Sequence, residues 1–258
     1  MLISIGVLLL VMGALVAYVF IPPQVVEVPA PATDDVEPLL DTAGMVEALV
    51  EAPEGYVPPV PTGIETVALP APDTAGSKMV AAALADRRSH RSFSDTDLSL
   101  EDLSQMLWAG IGVSDSEAGL RTVPSRGEAY PVGYYVVIDR VVELGPGLYY
   151  YLPETHELAL IRAGDQSAVW AGITGQPHPV NAAATLLMTA NMARGEGYRE
   201  TTFQESGHVG QNLYLQAAEL ELSMLVMGGF SKPEAASYLE LDEYHHVVYL
   251  VPMGNPGE

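Results

Sequence analysis

Leu2–Ile21 run for 20 residues without a charged side chain, and no lysine or arginine occurs before Lys78. At about 1.5 Å per residue, a helix of that length spans roughly 30 Å, the thickness of a bilayer core. No basic residue precedes the run, and it is longer than the apolar stretch of an ordinary signal peptide. Residues 1–23 are therefore expected to be a transmembrane anchor. A cleaved signal peptide, with its processing site in VPAPAT, is the alternative. The positive-inside rule has nothing to count here. The α-amino charge ahead of the run and the acidic flank behind it favour an extracytoplasmic domain. Residues 24–76 hold nine prolines, ten acidic residues and no basic one. Such a composition cannot bury enough apolar surface to fold. Residues 24–63 are expected to form an extended, disordered spacer, with at most a helical turn in AGMVEALVEA, and residues 64–258 the folded domain.

Within that domain, helical and strand patterns alternate irregularly. SKMVAAALADRR has helical character, with Ser77 as its N-cap. In LSLEDLSQMLWAGIG, Ser99 and Asp102 resemble a capping box, and Leu103, Met106 and Leu107 recur at helical spacing. GYYVVID, AATLLMTAN, SMLVMGGF and HVVYLVPMG read as strands. GLYYYLPETHELALI reads as two strands around a turn, with Tyr149, Tyr150 and Tyr151 as packing residues. DQSAVWAGITG and KPEAASYLEL are short helices. ETTFQESGHVGQNLYLQAAELEL is a long helix, apolar almost all round and so central. This mixture predicts an α+β layered fold.

The chain carries 33 acidic and 11 basic residues, a formal net charge of −22. Such a surface repels nucleic acid, whose binding needs clustered cations, and disfavours docking on anionic lipid through the domain. Cysteine is absent, which excludes disulfides, thiolate metal sites and a cysteine nucleophile. Against this background, RRSHRSF at residues 87–93 holds three of the nine arginines. Arg87 and Arg91 are four apart and Arg88 and Arg91 three apart, so a helical turn would face them one way. With the Ser89 hydroxyl, these guanidinium forks describe a site for a dianionic phosphate. A solvated basic helix end is the alternative.

TVPSRGEAYPVGYYVV at 122–137 reads either as a tight surface loop or as a rigid loop presenting backbone groups to a flat ligand. In VMGGFSKPE, Gly228 and Gly229 lie between a strand and a helix, where a ligand could approach the backbone closely. Glu205 and His208 form an E-x-x-H pair, but a di-iron site needs a second copy and further helical carboxylates, and no second helical copy exists. His208 reads as a buried core histidine. His245 and His246 read as surface or packing residues, and no Ser-His-Asp arrangement can be read from spacing.

Taken together, RRSHRSFSDTDLSLEDLSQMLWAGIG, RTVPSRGEAYP and ESGHVGQNLYLQAAELELSMLVMGGF resemble the nitroreductase superfamily. Within it they resemble the branch of SagB-type and thiazole/oxazole-forming dehydrogenases, in order from about Ile64 to Pro256. The resemblance implies a central mixed or antiparallel sheet packed by helices around a long buried helix. It also implies a homodimer with intertwined segments and FMN at the dimer interface. The activity implied is transfer of hydride or electrons from a donor such as NAD(P)H to a small organic acceptor. Position by position, Arg87, Ser89 and Arg91, with Arg88 beside them, match the family's phosphate and ribityl contacts. Ser125, Arg126, Gly127 and Glu128 match the loop beside the isoalloxazine, which usually comes from the partner subunit. Gly228 and Gly229 match the segment near the flavin N5 edge. Two departures stand out. The loop is usually Ser-Ala-Gly-Ala-Leu-Tyr-Pro, and here Arg126 and Glu128 put two charges into it. The Lys-Tyr-Gly-Glu segment tied to azoline oxidation is replaced by Ala193-Arg194-Gly195-Glu196. Azoline oxidation is therefore not carried over, and a non-catalytic flavin- or ligand-binding module on the same fold remains the alternative function.

Overall fold

The computed structural model describes Tyr56, residues 65–193 and residues 196–257. The anchor expected over residues 1–23 and, apart from Tyr56, the spacer over 24–63 lie outside the described residues. Among the described residues no helix is long and apolar enough to cross a membrane.

Nine strands and six α-helices are described. In chain order they are β1 (Glu65–Ala68), α1 (Val80–Asp86), α2 (Leu100–Ile111), β2 (Val113–Asp115), β3 (Leu120–Arg121) and β4 (Val132–Ile138). Then come β5 (Gly147–Leu152), β6 (Glu157–Ala163), α3 (Ser167–Thr174), α4 (His178–Asn181), β7 (Ala184–Asn191) and α5 (Glu196–Glu219). The last are β8 (Ser223–Met224), α6 (Lys232–Tyr238) and β9 (His245–Gly254). Seven strands form one sheet in the order β1-β6-β5-β4-β7-β9-β8, every pairing antiparallel. The architecture is the expected α+β one.

Side chains alternate across a pleated strand, and here both faces are covered. On β4, Tyr134, Val136 and Ile138 enter one core, while Tyr135 and Val137 enter the other. On β7, Leu186 and Met188 face the first core and Leu187 the second. This double burial is why these strands read in sequence as unbroken apolar runs. The first core is closed by α2 and α5, through Leu103, Met106 and Leu107 against Val209, Leu213 and Ala217. The second is closed by Trp170 and Ile173 of α3 and Ala235 of α6.

Ser99 caps α2 as expected, accepting the Asp102 N–H at 3.0 Å. One contact dictates how close α2 can come. A Cβ on Gly110 would lie 2.0 Å from the Tyr134 hydroxyl and 3.2 Å from Leu213. Only glycine lets the helix seat there.

Three expectations are corrected. Ser77 does not cap α1, which starts at Val80 with no side-chain cap; its N–H and hydroxyl both donate to Glu219, at 2.8 and 2.6 Å. The helix ends at Asp86, so Arg87–Arg91 are not on a helical turn. The long helix is not buried all round. Thr202, Glu205, Ser206, Val209 and Leu213 are buried, while Phe203, Gln204, Gly207, His208 and Gln211 form an exposed stripe, and His208 is no core residue.

Tyr56, inside the span expected to be a spacer, lies against the domain. Its ring centroid is 4.6 Å from that of Tyr244, and its hydroxyl donates to Asp242. Residues 69–73 then cross α2. Asp73 N–H donates to Gln105 (2.8 Å), and Ser104 donates to the Pro70 carbonyl (2.6 Å).

Candidate functional site

Arg87–Arg91 lead away from α1 toward the C-terminal half of α5. The His90 N–H donates to the Met224 carbonyl (2.9 Å), and His178 donates from Nδ1 to the Arg91 carbonyl (3.1 Å). Arg87 lies over the Tyr214 ring, 4.9 Å from its centroid, and Ser89 Oγ bonds the Tyr214 hydroxyl at 2.7 Å. That hydroxyl also accepts the Val226 N–H (3.0 Å). One α5 tyrosine thus ties the arginine segment to the segment that leads to Gly228 and Gly229.

The charges in this segment are uncompensated. Among the described residues Arg121, Arg140 and Arg162 each pair with a carboxylate, on Glu154, Asp139 and Glu240 respectively. Arg87, Arg88 and Arg91 pair with none. Arg88 instead donates to the Ala85 and Arg87 carbonyls at the end of α1 (2.9 and 2.8 Å), a helix C-cap. Arg91 reaches only the Ser89 carbonyl, at 3.4 Å. Arg87 is half-buried, and Arg88, Ser89 and Arg91 are exposed. In so acidic a chain, guanidiniums without carboxylates form a ready anion site.

Gly228 and Gly229 follow the bridge in which Met227 and Leu250 exchange N–H···O bonds of 2.8 and 3.0 Å. Gln176 donates to the Gly229 carbonyl at 3.0 Å. A Cβ on either glycine would meet only ordinary contacts, at 3.9 Å from Tyr249 and 3.8 Å from Gln176. The chain's own packing does not demand glycine at these positions.

The second loop rests on the other half of α5. Ser125 begins a short 3-10 turn over Arg126–Glu128. Gly127, Glu128 and Tyr130 have φ of 59°, 54° and 43°. Left-handed backbone costs a residue with a Cβ about 1–2 kcal/mol, so it persists only where the surroundings enforce it. Ser125 Oγ accepts the Tyr130 N–H at 2.8 Å, and the Tyr130 hydroxyl accepts the Arg121 N–H at 3.3 Å. The Arg121 guanidinium lies 4.8 Å from the Tyr130 ring centroid. Asn212 of α5 donates to the Thr122 carbonyl at 3.1 Å. Beneath the loop, Glu205 is 4 % exposed and hydrogen-bonds Ser125. Burial pushes its carboxyl above the usual range, against the opposing effects of Ser125 and Arg121.

All ten residues singled out in the sequence therefore fall into two groups hung on one helix. Ser89 meets α5 at Tyr214, and Ser125 meets it at Glu205, nine positions or about 13 Å along the axis. Sequence reasoning missed the roles of Tyr214, Asn212 and Glu205. All three lie in the ESGHVGQNLYL motif, so the signal was present as a pattern without an assignment. Glu205 is buried and His208 exposed, so the E-x-x-H pair does not converge. Among the described residues no cluster of three or more His, Asp or Glu could hold a metal ion.

Residues 84–255 match the sequence profile of the nitroreductase family. The candidate nitroreductase MJ1384 of Methanocaldococcus jannaschii is 36% identical over 180 residues, 66% of this chain and 88% of its own. The crystal structure of a candidate nitroreductase from Ralstonia eutropha is 29% identical and superposes with a TM-score of 0.66, over 83% of this chain and 97% of its own. A candidate nitroreductase from Desulfovibrio desulfuricans, crystallised in complex with FMN, has the same fold, at 23% identity and TM-score 0.50 over 70% of this chain and 88% of its own. The chain belongs to the nitroreductase family.

Proposed function

We propose that this protein is an FMN-dependent oxidoreductase that passes hydride or electrons from a donor such as NAD(P)H to a small organic acceptor. The observation that carries the reading is the cluster Arg87–Ser89–Arg91, without a carboxylate among the described residues, in a chain of net charge −22. These residues fit a phosphate. Two guanidiniums and a hydroxyl supply charge-assisted donors, and Tyr214 fixes Ser89 and Arg87. The backbone at Gly228 and Gly229, which their own neighbours leave open, fits close approach of a ring. When bound, the flavin supplies the redox chemistry and the protein supplies binding and orientation. Arg88, committed to the α1 carbonyls, is a lesser contact.

Ser125, Arg126, Gly127 and Glu128 would flank the ring from a second copy of the chain, because in one chain their loop rests on the other half of α5. An exposed apolar set supports a homodimer: Met79, Val80 and Leu84 at α1, and Phe203 on the open stripe of α5. The motif order places the chain near the SagB-type branch, without azoline oxidation as its reaction. The same reading makes residues 1–23 a membrane anchor and 24–63 its tether, with the domain extracytoplasmic.

The test is a visible absorption spectrum of the purified protein after incubation with FMN. Flavin bands that bleach with NADH or NADPH support the proposal. A protein that stays colourless with excess FMN refutes it.

A further inference from the structure

The buried face of α5 changes character along its length. Val209, Leu213 and Ala217 continue the apolar core, but under the loop at 125–131 the same face presents Thr202, Glu205 and Ser206. Thr202 and Ser206 are accounted for by a bond from the Ser206 hydroxyl to the Thr202 carbonyl (2.9 Å). Glu205 is not. A carboxyl 4 % exposed is rare unless it is paired, and its Oε1 has no hydrogen-bond partner at all. A half-satisfied buried carboxyl costs stability, so the site retains it against the demands of packing.

What it touches gives the reason. Ser125 Oγ takes the Tyr130 N–H and has one proton left to donate, and Glu205 is the acceptor of that hydroxyl. The hydrogen-bond chain Tyr130 N–H to Ser125 Oγ–H to Glu205 closes the base of a turn whose three left-handed residues would otherwise relax. We propose that Glu205 is a positioning residue that holds the Ser125–Tyr130 turn, through Ser125, in the shape that receives the flavin ring. The flavin part rests on the function proposed above; the coupling of Glu205 to the turn does not. The free Oε1 leaves room for one further donor, so glutamine, which keeps an acceptor for Ser125 and the side chain's size, can replace it.

The experiment uses the full chain and two readouts, FMN affinity by fluorescence titration and tryptic cleavage after the exposed Arg126, located by mass spectrometry. Glu205→Ala is expected to weaken FMN binding about tenfold, the effect of one hydrogen bond to an ionisable group. It is also expected to speed cleavage after Arg126 about as much, while cleavage at Arg87, Arg88 and Arg91 keeps its rate. Glu205→Gln should restore both within about twofold. Ser125→Ala, which removes the hydroxyl and leaves the carboxyl, should reproduce the alanine effect, with no further loss in the double variant. It also serves if Glu205→Ala does not fold. Unchanged cleavage after Arg126 in both single variants overturns the proposal, as does equal acceleration at every arginine. If the wild-type chain binds no FMN but cleavage follows the expected pattern, the positioning role stands and the flavin reading falls.

Discussion

The two half-sites on α5 solve opposite problems. At Tyr214, the helix supports a segment that is exposed, cationic and without carboxylates; at Glu205, it supports one that is strained and held from beneath by a buried acid. The first is built to attract charge and tolerates water. The second is built to hold a shape, and its energy goes into left-handed backbone and an unpaired carboxyl oxygen. A phosphate needs donors more than it needs a fixed wall, whereas a flat ring needs a wall. The division matches a ligand that is anionic at one end and planar at the other.

Substitutions can break or sharpen this contrast. The largest effect is expected from Arg87→Glu with Arg91→Glu. Charge-assisted hydrogen bonds contribute about 1.5–3 kcal/mol each. Losing two and adding repulsion should weaken FMN binding by at least about a hundredfold, measured by flavin fluorescence, with the melting temperature unchanged. Gly110→Ala acts on both halves at once, because its Cβ would strike Tyr134 and press on Leu213, between Asn212 and Tyr214. Overpacking of this kind costs about 1–3 kcal/mol, read from urea unfolding.

Gly228→Val separates ligand from fold. The chain leaves ordinary room there, so stability should hold while FMN affinity falls about tenfold, as expected if about 1.4 kcal/mol of contact is lost to the new side chain. Tyr134→Phe should raise stability by about 1 kcal/mol, since its buried hydroxyl has no partner.

The smallest effect lies away from α5. Both Ser104 Oγ and the Pro70 carbonyl lie at His156 Nε2 (2.8 and 3.0 Å), and Tyr151 bonds Nδ1 (2.8 Å). A carbonyl only accepts, so Nε2 carries the proton and Nδ1 accepts from the tyrosine. Burial lowers the His156 pKa from 6.5, against the raising effect of Pro70. The unfolded histidine therefore takes up a proton first. Its contribution to stability is complete above about pH 6.5 and is lost as pH falls below that, through the folded pKa. Thermal melts should show this slope, and His156→Gln should flatten it without altering the FMN affinity of the folded protein.

Much of this was legible in sequence where burial is two-sided. The β4, β7 and β9 runs are apolar because both faces are covered, and Ser99 announced α2 because a cap is a local device. What was missed depends on pairing. β1 is four residues, three of them exposed, and exists because β6 offers an edge; β2 and β3 are three and two residues long. The stripe on α5 was misread because Phe203 and Gly207 look like core residues until the neighbouring elements are placed. The arginine cluster was found without its geometry. Its meaning lies in charge contrast, which composition reveals, whereas the end of α1 at Asp86 depends on how the chain turns toward Met224.

The central claim is that Arg87, Ser89 and Arg91 bind a phosphate. It is tested most directly by comparing FMN with riboflavin, which differs only by that group. The account predicts at least about hundredfold tighter binding of FMN, from two charge-assisted contacts, and collapse of that gap in Arg87→Ala/Arg91→Ala. Equal affinity for the two flavins, or a gap that survives the double substitution, would contradict it.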